Sequence, residues 1–395
     1  MIDYNNIFPF DIETSVKNKT VGKFGGNPFC HKNNIVLFGC HHGPVQSTGD
    51  VITTDIPESI ANHLAKAIRN DAIFVGQNIK FDLLYLFRFH EFRKVLPYIK
   101  VWDCQLAEYL ITGQRNKMWS MDKMAEKYHG TLKNDIIKQY WKDGKDTEDI
   151  PPHELDEYLR DDVMNTYIPY RAQVRKMLDL GMENLMWSQM RFLKATCEME
   201  WNGMHVNLAG MDAKRKELQF LCDIEENTLL QFMKNRGIPE PKASKTAQIS
   251  RAFFGGDIEV FGTELMVDAN DEYLRYKTGK KKGELKRRKW AGMSCIPGII
   301  APQTGVVRNK KGDYPIDEEH LQRIADASKD KDLKLVIASL LEYRSLSKDI
   351  STYYEGYAAL TWPDSKIHAN LKHCNTHTGR LSCSKPNLQN LTRKD

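Results

Sequence analysis

The sequence predicts an α/β domain with a mixed sheet, followed by a mainly α-helical region and a short, turn-rich β segment. Three observations carry this reading. Short apolar or β-branched runs recur at residues 6–12, 34–39, 50–54, 72–76 and 101–103, with helical patterns between the later ones. From about residue 104 to about 235 the apolar spacing is mainly helical. The last stretch, 366–395, returns to alternation and turn residues.

Taken in order, Asn6 to Ile12 is apolar and aromatic and reads as a buried strand. Asn34–Gly39 and Asp50–Thr54 fit a meander after it. Pro57-Glu58 opens a helix through about Arg69, with proline at a favoured first-turn position. Ala72–Gly76 is a second buried strand, followed by a helix through Phe81, Leu83, Leu84 and Leu86. Val101-Trp102-Asp103 is a further short strand, leading into a helix around Leu106–Leu110. This domain is expected to end near residue 180. Leu208–Lys234 reads as a long amphipathic helix with Leu218, Leu221, Leu229 and Phe232 on its repeat, Asn207 as its cap and Gly237 as its stop. Residues 256–315 read as irregular and hold the densest basic run, Lys280, Lys281, Lys282, Lys286, Arg287, Arg288 and Lys289. Such a run is either a solvated loop or a set of phosphate contacts. Two helices follow, Asp317 to about Ala327 and Asp332 to about Tyr354.

Composition sets limits. The chain has 395 residues, 41% of them hydrophobic and 28% charged, enough for two or three packed domains. Its net charge is +5, compatible with a polyanionic partner. None of the eight cysteines forms a C-x-x-C pair, which argues against zinc and redox motifs. No apolar run is long enough for a membrane span and no secretory signal is present, so the expected compartment is the cytoplasm.

The chemistry starts at Asp11-Ile12-Glu13. Residues two apart in a strand point to one face, so two carboxylates would crowd together on an apolar strand. A hard cation between them relieves the repulsion. Asp82 follows the strand at 72–76, beside Asn78, and the Tyr158–Asp162 stretch places a hydroxyl and a carboxylate on one helical face. Each feature alone also has an ordinary reading: a solvated strand, an acid at a helix start, a core tyrosine. Together they form a candidate two-metal site.

In that order, D-x-E, N-x-x-x-D and Y-x-x-x-D, these residues resemble the motifs of the DnaQ-like 3′–5′ exonuclease domains, with Gly76–Asp82 similar to the proofreading domain of bacterial polymerase I. The matching acid of the third motif is Asp162, with Asp161 as the neighbouring register. A second resemblance is carried by Thr378-Gly379-Arg380-Leu381-Ser382-Cys383-Ser384-Lys385-Pro386-Asn387-Leu388-Gln389-Asn390, by Leu341–Lys348 and Ser351-Thr352-Tyr353, and by Glu198–Met204. These are similar to the family A DNA polymerases.

The resemblance implies an RNase H-like exonuclease domain at 1–180, a helical thumb region at 181–360 with a basic insertion at about 256–315, and the start of a palm at 361–395, in which Lys366–Leu371 would be one strand cut off from its neighbours. It implies two Mg²⁺ ions, replaceable by Mn²⁺, held by Asp11, Glu13, Asp82 and Asp162, with Tyr158 orienting the attacking water. It implies DNA contacts, to a single-stranded 3′ end or a primer–template, from Asn78, Arg344, Lys348, Ser351, Thr352, Arg380, Asn387, Gln389 and Asn390. Lys281, Lys282, Arg287 and Arg288 are the candidates within the basic insertion. The later acids and fingers helix of that family have no counterpart up to Asp395, so the expectation is a split polymerase completed by a second polypeptide, with a processivity factor as a further candidate partner. Two other readings compete: a non-catalytic DNA-clamping half, and an RNase D-like exoribonuclease sharing the four acids.

Overall fold

The structure, a computed structural model, describes residues 2–16, 26–131, 135–268, 271–279, 281–301 and 306–391. It divides into two compact units, residues 1–206 with 360–395, and residues 207–359.

The first unit is built on a five-stranded sheet, order β3-β2-β1-β4-β5. Its strands are β1 (Ile7–Thr14), β2 (Ile35–Cys40), β3 (Ile52–Thr54), β4 (Ile73–Gly76) and β5 (Lys100–Asp103). β2 runs antiparallel to β1 and to β3, whereas β4 runs parallel to β1 and to β5, giving the expected mixed sheet. The parallel pairs need helical crossovers. α1 (Pro57–Arg69) lies between β3 and β4, and α2 (Lys80–Leu86) and α3 (His90–Val95) lie between β4 and β5. α4 (Cys104–Ile111), α5 (Met121–Tyr128), α6 (Asp135–Lys142), α7 (Pro152–Asp179) and α8 (Glu183–Asn202) follow. β1 is central and covered on both faces, so seven of its eight residues are buried and no alternation shows. Phe8, Phe10, Phe38 and Phe74 are fully buried at the sheet centre.

The C-terminal stretch belongs to this unit. Lys366 to Leu371 was expected to be one strand cut off from its neighbours. It is instead two short strands, both paired within the chain. β6 (Met204–His205) pairs with β9 (Lys366–Ile367), and β10 (Asn370–Lys372) pairs with β11 (Ser382–Ser384). His368 interrupts the run by turning inward, where its ring stacks on Phe29 at 4.0 Å and its Nδ1 meets the Glu200 carbonyl at 2.7 Å.

The second unit is helical, with one β arm. α9 (Leu208–Asn235) starts where Asn207 accepts a hydrogen bond from Gly210 N, and its C-terminal end is followed by Gly237 at φ +79°. Its buried face is Cys222, Leu229 and Met233, while Leu221, expected on that face, is 43% exposed. α10 (Thr246–Phe254), α11 (Glu318–Ala327) and α12 (Lys331–Asp349) complete the core. Asp317 and Asp330 cap α11 and α12. The helix expected to run from Asp332 to Tyr354 changes after Asp349 to a π-helical turn, Ile350–Glu355, before the short α13 (Gly356–Ala358).

Residues 256–315 are not irregular throughout. β7 (Gly256–Leu265) and β8 (Arg287–Ile296) form an antiparallel hairpin paired from Gly256↔Ile296 to Leu265↔Arg287. Its base enters the core through Ile258 and Ile296, with Val260 packed against it. Most of β8 is exposed, so neither a helical nor a buried-strand pattern marks it in the sequence.

Candidate active site

The expected acids of the first three segments meet at one place. β1 carries Asp11 and Glu13, and a ladder irregularity falls between Glu13 and Thr14 as the strand leaves the sheet. α7 carries Tyr158 and Asp162 one turn apart on a buried face. One carboxylate oxygen each from Asp11, Glu13 and Asp162 lies within 4.8 Å of the other two. Glu13 and Asp162 are buried and Asp11 is half-buried. Asp161, the neighbouring register, is outside this group; burial raises its carboxyl pKa, with Glu157 adding to the shift.

Asp82 stands behind the trio, in the first turn of α2 and 3% exposed. Its carboxyl is pushed well above the ordinary range, chiefly by burial, then by the charges of Asp11, Asp103 and Glu13. Asp82 thus lies desolvated within the field of Asp11 and Glu13, the same two acids that Asp162 joins. Three oxygens of a hard donor set within one ion's reach fit a Mg²⁺- or Mn²⁺-class cation.

Two supports of this site were not singled out from the sequence. Asp103 ends β5 and caps α4, accepting from Gln105 N at 2.7 Å and Leu106 N at 3.0 Å. Its other oxygen accepts from Ile79 N at 3.1 Å, which ties down the turn leading to Asp82. Burial pushes the Asp103 carboxyl up to about 6, against the pull of these backbone donors. An Asp directly before a helix is a readable cap; its second bond, to the turn after the neighbouring strand β4, is not. Trp141 of α6 meets the Tyr158 ring edge-on at 6.3 Å, which positions that ring.

The nucleic-acid candidates fall in several settings. Asn78 is exposed at φ +54° in the turn before α2. In the polymerase-like segment Arg380, Gln389 and Asn390 are exposed, and Asn387 accepts from Gln389 N at 3.1 Å. In the second unit Lys348 is exposed near the end of α12, and Ser351 and Thr352 are exposed in the π-helical turn. Arg344 instead points its guanidinium at the Ile316 carbonyl and is half-buried, so its hydrogen bonding is partly used within the protein. Lys281, Lys282 and Arg287 are exposed on the outer part of the hairpin, and Arg288 pairs with Glu264 directly across the ladder. Lys280 lies outside the described residues.

Residues 26–179 match the family model for a 3′–5′ exonuclease, and residues 299–395 match the model for DNA polymerase family A. The chain thus carries a region matching the 3′–5′ exonuclease family, followed by a region matching DNA polymerase family A. The exonuclease match includes Asp82, Tyr158 and Asp162; Asp11 and Glu13 precede it. DNA polymerase I of Borreliella burgdorferi is 23% identical over 98% of this chain and 35% of its own length. That of Lactococcus lactis is 26% identical over 81% of this chain and 31% of its own length, and that of Bacillus subtilis 38% over 22% and 9%. The chain thus spans about a third of the family A relatives it matches along most of its sequence. Among solved structures, the POL domain of Pol1 from M. smegmatis, in complex with DNA primer-template and dNTP, is similar with a TM-score of 0.63 and 14% identity. That match covers 99% of this chain and 53% of that one, and it shows the shared fold.

Proposed function

We propose that this chain is a metal-dependent 3′–5′ exodeoxyribonuclease that removes nucleotides from a DNA 3′ end, the proofreading activity of a DNA polymerase. The observation that carries the reading is the Asp11, Glu13 and Asp162 oxygens within 4.8 Å of one another, on a mixed sheet in a family A chain. Asp11, Glu13 and Asp162 would hold one divalent ion, and Asp11 with Asp82, through water, a second. Ions bound there neutralise the phosphate and ease ionisation of water. Tyr158 orients the attacking water through its hydroxyl, and its edge contact with Trp141 keeps that hydroxyl in place. Asp103 holds the turn from which Asp82 and Asn78 project.

Digestion of 3′-labelled single-stranded DNA and RNA with Mg²⁺, with Mn²⁺ and with chelator tests this. DNA shortening that stops with chelator and in Asp11→Ala is expected. Equal digestion by Asp11→Ala would remove the site assignment, and preference for RNA would favour the RNase D-like reading. DNA binding without cleavage would favour the clamping reading.

The same proposal assigns residues 1–180 to the exonuclease, 181–360 to a thumb region that grips primer–template, and 361–395 to the start of a palm. Arg380, Asn387, Gln389 and Asn390 would contact the minor groove, where acceptors are similar for all base pairs and contacts check pair geometry. Lys348, Ser351 and Thr352 would contact phosphates. The relatives extend well beyond the matched region, and DNA synthesis is proposed to need the remaining palm and fingers of that family. Co-expression with a fragment that carries them, followed by primer extension, tests that part.

A further inference from the structure

A second group of ligating side chains lies on the other side of the sheet. Cys40 ends β2, His42 follows two residues later, and His63 belongs to α1. One ligand atom from each lies within 4.8 Å of the other two. We propose that Cys40, His42 and His63 bind a divalent cation of the zinc class, at a site separate from the carboxylates.

Side chains along a strand alternate between faces. Gly39 abuts Leu159 and Val163 of α7 and pairs with Asp11, so the carboxylates share the α7 face. Cys40, the next residue, points the other way and pairs with Phe10. The two groups are therefore kept apart by the sheet.

The donor chemistry differs as well. One thiol and two imidazoles suit a borderline-soft ion, whereas three carboxylates suit a hard one. His42 Nε2 and His63 Nδ1 are 3.1 Å apart. With Zn–N near 2.0–2.1 Å, two nitrogens on a tetrahedral ion stand about 3.3 Å apart. The pair already has almost that spacing, and in the metal-free protein the same contact is a hydrogen bond with one shared proton. The Phe8 ring packs on His42 at 5.1 Å and limits its freedom to turn away.

Burial holds the His42 imidazole at about 4, helped by the Lys66, His63 and His41 charges, so it is neutral at pH 7 as a ligand must be. Burial also raises the Cys40 thiol to about 12, with Lys66 pulling in the opposite direction. Ion binding therefore displaces the Cys40 proton to solvent as the S–metal bond forms. Lys66 favours the thiolate and opposes the approaching cation, and the thiolate's negative charge offsets that opposition. Three protein ligands leave the fourth tetrahedral position to water. The bound ion would fasten the end of β2 to α1.

The test uses the full chain, stripped with chelator and titrated with Co²⁺ as a spectroscopic stand-in for zinc. A thiolate-to-cobalt charge-transfer band that saturates at one equivalent is expected. Cys40→Ser should abolish the band, and His63→Gln should weaken binding roughly tenfold or more. Asp11→Ala should keep the band, since carboxylates do not produce it. Cobalt binding without the band, or a band that survives in Cys40→Ser, overturns the site. Should Cys40→Ser fail to fold, His63→Gln decides, and an unchanged affinity in that variant also overturns it.

Discussion

Gly39 stands opposite Asp11 across the β1–β2 ladder, and a Cβ added at Gly39 would lie 2.8 Å from Cγ of Leu159 on α7. Leu159 is fully buried, so it has nowhere to retreat. The bare backbone at Gly39 is what lets α7 come close enough for Asp162 to join Asp11 and Glu13. Gly39→Val should therefore move α7 outward and separate the acids. Since displacing reacting groups by about 1 Å costs on the order of a hundredfold in rate, exonuclease turnover should fall by at least that much while the chain stays folded. Turnover measured beside far-ultraviolet circular dichroism checks it, and full activity in Gly39→Val would sink the argument.

Tyr158→Phe should cost less than Asp11→Ala. It removes one oriented hydroxyl, worth about 1–3 kcal/mol, so a fall of roughly ten- to a hundredfold is expected. Asp11→Ala removes a ligand shared by both proposed ions and should cost several orders of magnitude. The comparison is made on single-stranded DNA at saturating Mg²⁺. Equal losses in the two variants would mean that Tyr158 does more than orient water.

The crowded acids make metal-free stability depend on pH. Asp103 is raised from 3.8 to about 6, and Asp82 well above 3.8. A carboxyl raised on folding contributes stability that is complete below its unfolded value and is lost as pH rises through its folded value. In chelator, the melting temperature should fall as pH rises from about 4 through 6 and beyond. Asp82→Asn should flatten that fall, and Mg²⁺ should restore part of it in the parent chain. Thermal melts at pH 5 and pH 8 check this. A slope identical in parent and variant would show that Asp82 is not the group under strain.

Much of this was legible in the residues and some was not. Asp11, Glu13, Tyr158 and Asp162 could be found because strand and helix periods fix which neighbours share a face. That these distant segments meet at one site was implied by the resemblance to the exonuclease motifs, since no local period relates them. Gly39 could not be found, because its role depends on how close α7 approaches, which no local pattern records. The β7–β8 hairpin was read as irregular because its outer residues pack against little and carry charge. Lys366–Leu371 was read as one unpaired strand because the partners of its halves, Met204–His205 and Ser382–Ser384, lie on different sides of it in sequence.

The hairpin should add salt-dependent affinity for duplex DNA. Lys281, Lys282 and Arg287 are exposed, whereas Arg288 is engaged by Glu264 across the ladder. Each phosphate contact contributes about 0.9 to the slope of log affinity against log salt. Replacing Lys281, Lys282 and Arg287 by Ala should flatten the slope, and adding Arg288→Ala should change it little further. Binding measured across a salt series decides. An unchanged slope in the triple variant would make the run a solvated face.

Lys80 and Glu200 tie the exonuclease motif to the polymerase-like segment inside the first unit. Lys80 Nζ donates to Glu200 Oε1 at 2.6 Å and also to the Leu371 carbonyl, while Leu371 N donates to the same carboxylate. Their side chains are 10% and 3% exposed. An ion pair this buried adds little over an apolar pair, but removing one partner strands the other, at about 3–5 kcal/mol. Burial already raises the Glu200 carboxyl, with Lys80 pulling it back down. Lys80→Met removes that pull, so Glu200 should ionise at still higher pH. By the same sign rule, the variant's stability deficit should be small at pH 5 and grow toward pH 8 as the stranded carboxyl is forced to ionise. Lys80→Met combined with Glu200→Gln should recover much of the loss, because no unpaired charge remains and the amide oxygen still accepts from Leu371 N. Urea denaturation of the three chains at both pH values measures the deficit. A single variant as stable as its parent at pH 8 would mean that the pair contributes no specific restraint between Lys80 and β10.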